Sequence, residues 1–393
     1  MADDISNRMK NDDNQMIYLD SAATSLYKPA CVAEAVSRAL GSFGNSARGT
    51  HEASLTASRV IFETRERICG MFGAGRPERV AFTANATESL NIAIQGLVRP
   101  GSHVVSTVLE HNSVLRPLYL QEERKAELSF AKCDTAGRVT AQEIEKLIRS
   151  GTSAVVCTHA SNVTGNVVDI RAVGEICRRR GVLFIVDASQ TAGIFPVDMQ
   201  KQNIDVLCFS GHKGLLGPQG TGCLCVREGI SIPPLMVGGT GAQSYSRVQP
   251  VQMPDALEAG TRNGHGIAGL CASLTYLSEY GIDRIRTAEQ ALMRQFIEGV
   301  KGLPQVTLYG DFENNDRAPV VSLNIGTRDS AEISDILAQE YGILTRSGAH
   351  CAPLMHQALG TSKQGAVRFS FSHYNTREDI ECAAAAIREL ALE

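Results

Sequence analysis

Seven short apolar runs alternate with longer amphipathic stretches between residues 79 and 228, and this alternation constrains the fold more than any other feature of the chain. The predicted strands are 79–84, 103–109, 127–132, 153–158, 182–187, 205–209 and 222–227, with helical periodicity in intervening stretches such as 140–149 and 170–180. Crossovers of this length favour a largely parallel sheet that is covered on both faces. Ligands of such sheets bind at the carboxyl ends of the strands, so we expect the chemistry there.

The last third of the chain has a different pattern, in which one helical stretch at about 265–301 precedes a mixture of strands and helices. The predicted strands of this part are 320–325, 342–345 and 367–371. Thr376 and Asp379 predict a capping box ahead of a final helix over 380–392.

A chain of 393 residues exceeds the size at which one hydrophobic core keeps growing. We therefore expect an α/β fold with a large domain at 31–284, built on a mainly parallel seven-stranded sheet, and a smaller α/β C-terminal domain at 285–393. The segment 1–30 is expected to pack with the smaller domain.

Composition limits the class of ligand. The formal net charge is −4 and no block of Lys or Arg occurs, which argues against nucleic acid and membrane surfaces as partners. The start of the chain is polar and acidic, and no apolar run reaches the roughly 18 residues of a membrane span, so we expect a cytoplasmic protein. The eleven cysteines are scattered without a second ligand pair beside Cys223 and Cys225. That spacing predicts free thiols and no metal site.

A lysine and an aspartate each follow one of the predicted strands. Lys213 lies in the sequence Ser-Gly-His-Lys-Gly after the run 205–209, and Asp187 ends the run 182–187. A lysine amine can hold an aldehyde as a Schiff base, and a carboxylate at a strand end can keep a pyridine nitrogen protonated. Either residue alone is typical of a surface charge or a turn. Together they predict a site for pyridoxal 5′-phosphate.

A phosphate site is predicted where residues 83–88 connect a strand to a helix, because the backbone N–H groups and the dipole of a helix N-terminus attract anions. The Thr87 hydroxyl could add a bond there, although an ordinary N-cap would give the same pattern. Ser210 and His212, beside Lys213, could reach the phosphate from the other side. His111 also follows a strand, where an imidazole can stack on the pyridine ring and transfer protons.

Cys351 differs from the other cysteines because it lies in a polar loop that contains glycine, residues 346–354. Pro353 is predicted to begin a short helix that ends by Gly360, and a thiol near a helix N-terminus favours the thiolate form. Most single cysteines are inert core residues, so the loop is what marks Cys351 as a candidate nucleophile.

These motifs, in this order, resemble the class V aminotransferase family of fold-type I pyridoxal phosphate enzymes, and within it the SufS-like (group II) cysteine desulfurases. The resemblance runs from Tyr18 almost to the C-terminus. The matching segments are 18–23, 48–51, 87–88, 110–111, 161–162, 187–190, 210–213, 258–263 and 346–351.

The resemblance implies a role for each site residue. Lys213 would carry the cofactor and, with Cys351 and His111, would be catalytic. The other implied cofactor contacts are Asp187 to the pyridinium, Gln190 to the phenolic oxygen, His111 stacked on the ring, and Thr87, Ser210 and His212 to the phosphate. The implied substrate contacts are Asn162, Arg346 and Arg368.

The resemblance also implies partners. Thr261 matches a residue that reaches the phosphate of the neighbouring subunit, which implies a homodimer with shared active sites. The implied reaction converts L-cysteine to L-alanine and leaves the sulfur on Cys351 as a persulfide for an acceptor protein. The Cys351 loop has the short form of the group II enzymes.

Two other functions stay open at this point. Relatives typically carry histidine at the positions of Ala47 and Ala349, so the substrate could be L-selenocysteine, and the protein a selenocysteine lyase or a related β-lyase. A non-catalytic sulfur-relay subunit is a more remote alternative. A scaffold without catalysis would not need Lys213, Asp187 and Cys351 together.

Overall fold

The structure is a computed structural model, and it describes residues 16–46 and 49–392. The expectations that involve Ala47, Arg48 of the segment 48–51 and residues 1–15 of the predicted N-terminal segment lie outside them.

The described chain alternates strands and helices along most of its length. The strands are β1 (Ile17–Tyr18), β2 (Val80–Thr83), β3 (His103–Thr107), β4 (Glu127–Ala131), β5 (Thr152–Thr158), β6 (Leu183–Asp187), β7 (Val206–Ser210), β8 (Gly222–Val226), β9 (Val306–Tyr309), β10 (Val320–Ile325), β11 (Ile343–Leu344) and β12 (Val367–Ser370). The helices are α1 (Ala30–Ser42), α2 (Glu52–Phe72), α3 (Ala86–Leu97), α4 (Asn112–Glu123), α5 (Ala141–Leu147), α6 (Ile170–Arg180), α7 (Gly264–Tyr280), α8 (Ile282–Val300), α9 (Ser330–Tyr341), α10 (Pro353–Ala358) and α11 (Arg377–Leu390).

The main sheet has seven strands in the order β2-β8-β7-β6-β5-β3-β4. Strand β8 runs antiparallel to both of its neighbours, and the other pairs are parallel. All seven strands predicted between residues 79 and 228 are confirmed, and so is the predicted mainly parallel seven-stranded sheet. Because side chains alternate between the faces of a strand, each buried strand contributes side chains to two cores, one on each face of the sheet. Ile185 packs into one of them and Val186 into the other.

A third core is formed by the antiparallel sheet β12-β10-β9 and helices α8, α9 and α11. Phe296 of α8 lies between Phe369 and Phe371, with ring centroids 4.5 and 5.6 Å away. The N-terminal segment joins this core, because Ile17 and Leu19 are buried in it and β1 pairs with β11.

The long helical stretch predicted at 265–301 is two helices. Helix α7 ends at Tyr280 and α8 begins at Ile282, and between them lies Gly281, whose φ of +95° favours glycine. Because the apolar periodicity continues across Gly281, the sequence pattern did not predict the break between the two helices. The domain boundary predicted at residue 285 lies in the first turn of α8, and Ile285 itself packs into the core of the large sheet.

The predicted capping box is confirmed, because Thr376 accepts a hydrogen bond from the Asp379 N–H and Asp379 accepts one from the Thr376 N–H. The last helix therefore begins at Arg377, earlier than predicted. Among the described residues, no helix is both long and apolar enough to cross a membrane.

Gly222 lies where β8 meets the N-terminus of α3. A Cβ atom at residue 222 would be 2.6 Å from the Asn85 Cα, much closer than real Cβ contacts. We therefore expect Gly222→Ala to lower the free energy of unfolding by about 1–3 kcal/mol, measured by urea denaturation. Gly70→Ala is the matched control, because residue 70 is inside α2 with open space around it. It should be stabilising by about 0.5–1 kcal/mol. Equal stability of Gly222→Ala and the wild type would contradict this packing.

Candidate active site

Strand pairing brings the predicted lysine and aspartate to the same edge of the sheet. Strands β6 and β7 pair in parallel with Asp187 beside Cys208, and Lys213 lies in the turn that follows β7. Burial lowers the pKa of Lys213 to about 8, and the Asp187 charge opposes that shift. The Lys213 amine has no hydrogen-bond or ion-pair partner in the described part of the chain. A fraction of it is therefore neutral and available near neutral pH.

Ser189 fixes the Asp187 carboxylate. The Oδ1 atom of Asp187 accepts hydrogen bonds from the Ser189 N–H at 2.9 Å and the Ser189 hydroxyl at 2.5 Å. Its Oδ2 atom receives none from residues 16–46 or 49–392. One oxygen thus orients the carboxylate, which is 4% exposed, while the other can accept a bond from a ligand.

His111 is the N-cap of α4, just after β3. The Ser113 N–H donates to the His111 Nδ1 at 3.0 Å, so the proton of the neutral ring is on Nε2. Burial lowers the pKa of His111 to about 4, although Asp187 opposes the shift. His111 is therefore a neutral ring at neutral pH, with an N–H donor on the side away from Ser113.

The N-terminus of α3 is close to the turn after β7. The Ser210 hydroxyl accepts the Ala86 N–H at 3.0 Å, and Asn85 caps the helix by accepting the Glu88 N–H at 3.0 Å. Thr87 is exposed, and its hydroxyl bonds to the Ser113 hydroxyl at 2.7 Å. Residues predicted for the phosphate and for the ring are thus linked, because Ser113 also contacts His111.

His212 and Gln190 are both tied to the N-terminal segment. The His212 Nδ1 is 3.0 Å from the Thr24 hydroxyl, and the Gln190 amide donates to the Ala22 carbonyl at 3.1 Å. Burial lowers the pKa of His212 to about 4, and Lys213 lowers it further. Gln190 and Lys213 line the same cleft.

The residues predicted to hold the substrate carboxylate, Asn162, Arg346 and Arg368, are called the carboxylate clamp below. Arg368 is 3% exposed, and its Nη2 donates to Oδ1 of Asp20 at 2.7 Å. Its Nη1 donates to the Asn162 carbonyl at 3.3 Å. Arg346 is exposed, and its Nη1 is 3.7 Å from Oδ2 of Asp20. The structure thus brings the three predicted residues together, and it places both arginines beside an aspartate with no predicted role.

Cys351 is exposed and lies in a loop that is held from several sides. His350 and Cys351 both have left-handed backbone, with φ of +49° and +55°, which costs a non-glycine residue about 1–3 kcal/mol. The Asn162 side chain donates to the His350 carbonyl at 2.8 Å, and the Asn112 N–H donates to the Cys351 carbonyl at 2.7 Å. Helix α10 begins at Pro353, as predicted. These bonds fix the loop that carries the thiol to the clamp residue Asn162 and to the start of α4.

Thr261 is not part of this cluster. It is exposed and lines a separate cleft with Ser46, His51 and Thr240. The structure therefore gives it no contact with the Lys213 of its own chain, and its implied role toward a neighbouring subunit stays a prediction.

Sequence reasoning gave no role to Asp20, Ser113, Ser189 or Glu110. Two of these residues carry a local signal. Ser189 follows Asp187 by two residues, the spacing of a side chain that bonds its neighbour's backbone, and Ser113 has the same spacing from His111. The contact of Asp20 with Arg368 joins residues 348 positions apart, and no local pattern could reveal it.

Glu110 is a buried acid behind the site. Its carboxylate accepts the Thr158 N–H at 3.0 and 3.1 Å and the Thr107 hydroxyl at 2.5 Å. Burial raises the pKa of Glu110 to about 8, and the Asp187 charge adds to the rise. Glu110 is therefore largely protonated at neutral pH.

The raised pKa of Glu110 predicts a stability that depends on pH. Its protonated form favours the folded state fully below the ordinary pKa of about 4.3, and this contribution is lost as the pH rises through about 8. Gln cannot ionise, so Glu110→Gln should not lose this contribution. The free energy of unfolding of the variant minus that of the wild type should therefore be higher at about pH 9 than at about pH 5, by a few kcal/mol. Urea denaturation at both pH values measures it. Glu52→Gln, at an exposed residue, should show no such change. A pH-independent difference for Glu110→Gln would contradict the prediction.

An amine and a carboxylate at adjacent strand ends of a parallel α/β sheet, beside a helix N-terminus, define the kind of site that pyridoxal phosphate enzymes use. The chain belongs to the class-V aminotransferase family, whose sequence model matches residues 17–382. Enzymes of this family depend in general on pyridoxal phosphate.

Individual relatives agree with this assignment. A probable cysteine desulfurase of Methanothermobacter thermautotrophicus is 35% identical over 382 residues, which cover 95% of this chain and 94% of the relative. The apo structure of a cysteine desulfurase from Thermococcus onnurineus superposes with a TM-score of 0.90 at 34% identity, covering 96% of this chain and 95% of the other. The cysteine desulfurase CsdA of Escherichia coli gives 0.86 at 28% identity, covering 96% and 94%. The predicted fold-type I class is confirmed.

Proposed function

We propose that the protein is a pyridoxal-phosphate-dependent cysteine desulfurase that converts L-cysteine to L-alanine and keeps the sulfur on Cys351 as a persulfide. One observation carries the proposal. An exposed cysteine, held in a constrained loop, lies next to an arginine clamp at the sheet edge that also presents Lys213 and Asp187. The names of the relatives, several of them cysteine desulfurases over nearly the full length, support it.

The residues at this edge fit pyridoxal phosphate. The Oδ2 atom of Asp187 can accept a pyridinium N–H, and the unpaired Lys213 amine can hold the aldehyde. The flat neutral ring of His111 suits stacking, and Gln190 has a second amide hydrogen for the phenolic oxygen. The three residues that would hold the phosphate are Thr87, Ser210 and His212, at the N-terminus of α3 and in the turn after β7.

Pyridoxal phosphate, when bound, supplies an electron sink that makes the α-carbon of an amino acid acidic. Asp187 would keep a positive charge on the ring nitrogen of the bound cofactor. Lys213 is the base for the α-proton, because burial lowers the pKa of its amine to about 8 and leaves part of it neutral. His111 presents its Nε2–H as a proton donor. The clamp arginines orient the substrate by its carboxylate.

The Cys351 thiolate attacks the sulfur of the bound substrate. A sulfur–sulfur bond forms while the bond between the substrate Cβ and its sulfur breaks, and the electron pair of that bond stays with the carbon fragment. The fragment takes up a proton at Cβ, regains the α-proton from Lys213 and leaves as alanine, and Cys351 keeps the sulfur as a persulfide. The hydrogen bonds from Asn162 and Asn112 fix the loop at the clamp and so favour attack by orientation.

We also infer a homodimer with shared active sites. Thr261 is away from the Lys213 of its own chain, which supports a role in a second copy. Large apolar side chains are exposed on the same part of the chain, as expected for an interface. They are Leu235, Met236, Val237, Tyr245, Val248 and Val251.

Further proposals follow from the resemblance and the exposed thiol. We place the enzyme in the cytoplasm and in the group with a short Cys351 loop. An acceptor protein would collect the sulfur, because Cys351 is exposed and can be reached by a macromolecule.

The test of the function is Cys351→Ala. A thiol leaves Cβ poorly and needs attack on its sulfur, whereas a selenol is more acidic and more weakly bonded to carbon. We therefore expect the variant to lose alanine formation from L-cysteine but to keep measurable activity on L-selenocysteine. Cys382→Ala is the matched control, because Cys382 is the other exposed cysteine, and it should leave both activities unchanged.

Mass spectrometry after brief exposure of the wild type to L-cysteine should find one added sulfur on the Cys351 peptide. The proposed nucleophile would be wrong if the Cys351→Ala variant still desulfurated L-cysteine at the wild-type rate, or if the persulfide were found on another cysteine. A wild type that releases selenide from L-selenocysteine and no sulfur from L-cysteine would favour the selenocysteine lyase instead.

A further inference from the structure

We propose that Asp20 is a positioning residue for the substrate carboxylate, which braces both arginines of the carboxylate clamp and cancels one of their two positive charges. The clamp then offers a net single charge, matched to one carboxylate. This inference rests on the proposed function, because it concerns how that site recognises its amino acid substrate.

The first support is the geometry of the two arginines. One oxygen of Asp20 accepts from Arg368 at 2.7 Å, and the other is 3.7 Å from Arg346. The arginines lie on neighbouring chain segments, because the Arg368 N–H donates to the Arg346 carbonyl at 2.7 Å and the Arg346 N–H donates back at 3.2 Å. A single carboxylate therefore hydrogen-bonds one guanidinium group and lies within ion-pair distance of the other, and the backbones of the two arginines are already paired.

The second support is that Asp20 itself is fixed. Its backbone forms a parallel bridge with Ser370, and its carbonyl accepts from the Tyr18 hydroxyl at 3.2 Å. On either side, the Leu19 N–H donates to the Leu344 carbonyl at 2.9 Å and the Ala22 N–H to the Ser370 hydroxyl at 2.9 Å. A carboxylate on such a backbone can orient Arg368 without moving when the substrate binds.

The third support is the set of donors that Arg368 has left. Its Nε is buried and has no hydrogen-bond partner among the described residues. A guanidinium binds a carboxylate through two parallel N–H donors, and five donors are available in all. The contacts to Asp20 and to the Asn162 carbonyl use one donor each, so donors remain for a ligand while Asp20 stays in place.

The fourth support is the local charge. Arg346, Arg368 and Lys213 bring three basic groups to this edge, and Asp20 acts on the lysine as well, since its charge raises the pKa of Lys213 against the lowering by both arginines. Asp20 and Asp187 are the acids that balance this group. Without Asp20, Arg368 would be a buried cation with no acidic partner, and its side chain would be free to reorient.

The experiment compares two small probes on the purified, cofactor-loaded protein by calorimetric titration. 3-Mercaptopropionate carries the carboxylate and lacks the amine, whereas cysteamine carries the amine and lacks the carboxylate. We expect Asp20→Asn to weaken 3-mercaptopropionate binding by about tenfold or more and to leave cysteamine binding unchanged. The KM for L-cysteine should rise by a similar factor, with a much smaller fall in kcat.

Asp20→Glu keeps the charge and displaces the carboxylate by one methylene, so it should lose less affinity than Asp20→Asn. If Asp20→Asn does not fold, Asp20→Glu serves as the test instead. The proposal would then be overturned if Asp20→Glu bound 3-mercaptopropionate with the affinity of the wild type. The matched control is Asp316→Asn, which makes the same chemical change at an exposed ion pair with Arg286. It should bind both probes as the wild type does.

Three outcomes would overturn the proposal. The first is an unchanged affinity of Asp20→Asn for 3-mercaptopropionate. The second is an increased affinity for this probe, which would make Asp20 a competitor of the substrate. The third is an equal loss of affinity for both probes, which would indicate a merely structural role. A wild type that forms no alanine from L-cysteine would refute the proposed function alone, because the probe comparison does not depend on turnover.

Discussion

The parallel pairing of β6 with β7 is the constraint on which the site depends. It sets Asp187 beside Cys208 and so brings the carboxylate to the same sheet edge as the turn that carries Lys213. A slip of one residue would turn the Asp187 side chain to the other face of the sheet. The register is strongly specified because both faces of these strands are buried, with Ile185 and Val186 packed into different cores. Two separate cores thus hold the strand that ends in Asp187 in register with the strand that precedes Lys213.

A second dependence joins the two ends of the chain. The segment that contains Leu19 and Asp20 pairs with the strand before the Cys351 loop and bonds to the strand that carries Arg368. From the large sheet, Asn162 reaches the same loop. The Cys351 loop and the clamp are therefore held by elements of both the large sheet and the C-terminal sheet, and the order of the site depends on how these parts pack together.

The sequence predicted those features of the fold and of the site that depend on residues close together in the chain. Buried parallel strands are continuous apolar runs, so all seven strands of the main sheet could be predicted, and an acid or an amine directly after such a run is visible in the sequence. Strand β9 was missed because it is an edge strand with mostly half-exposed residues. The short pairing of β1 with β11 and the bond from Asp20 to Arg368 were missed because they join distant residues. Packing alone decides such contacts.

The most direct measurement of the central claim is the position of the covalent link between cofactor and protein. Reduction of the cofactor-loaded protein with borohydride makes that link permanent, and digestion followed by mass spectrometry locates it. The account predicts a pyridoxyl group on Lys213, with the label lost in Lys213→Ala. A label on any other lysine, or none on a protein that still forms alanine from L-cysteine, would contradict it.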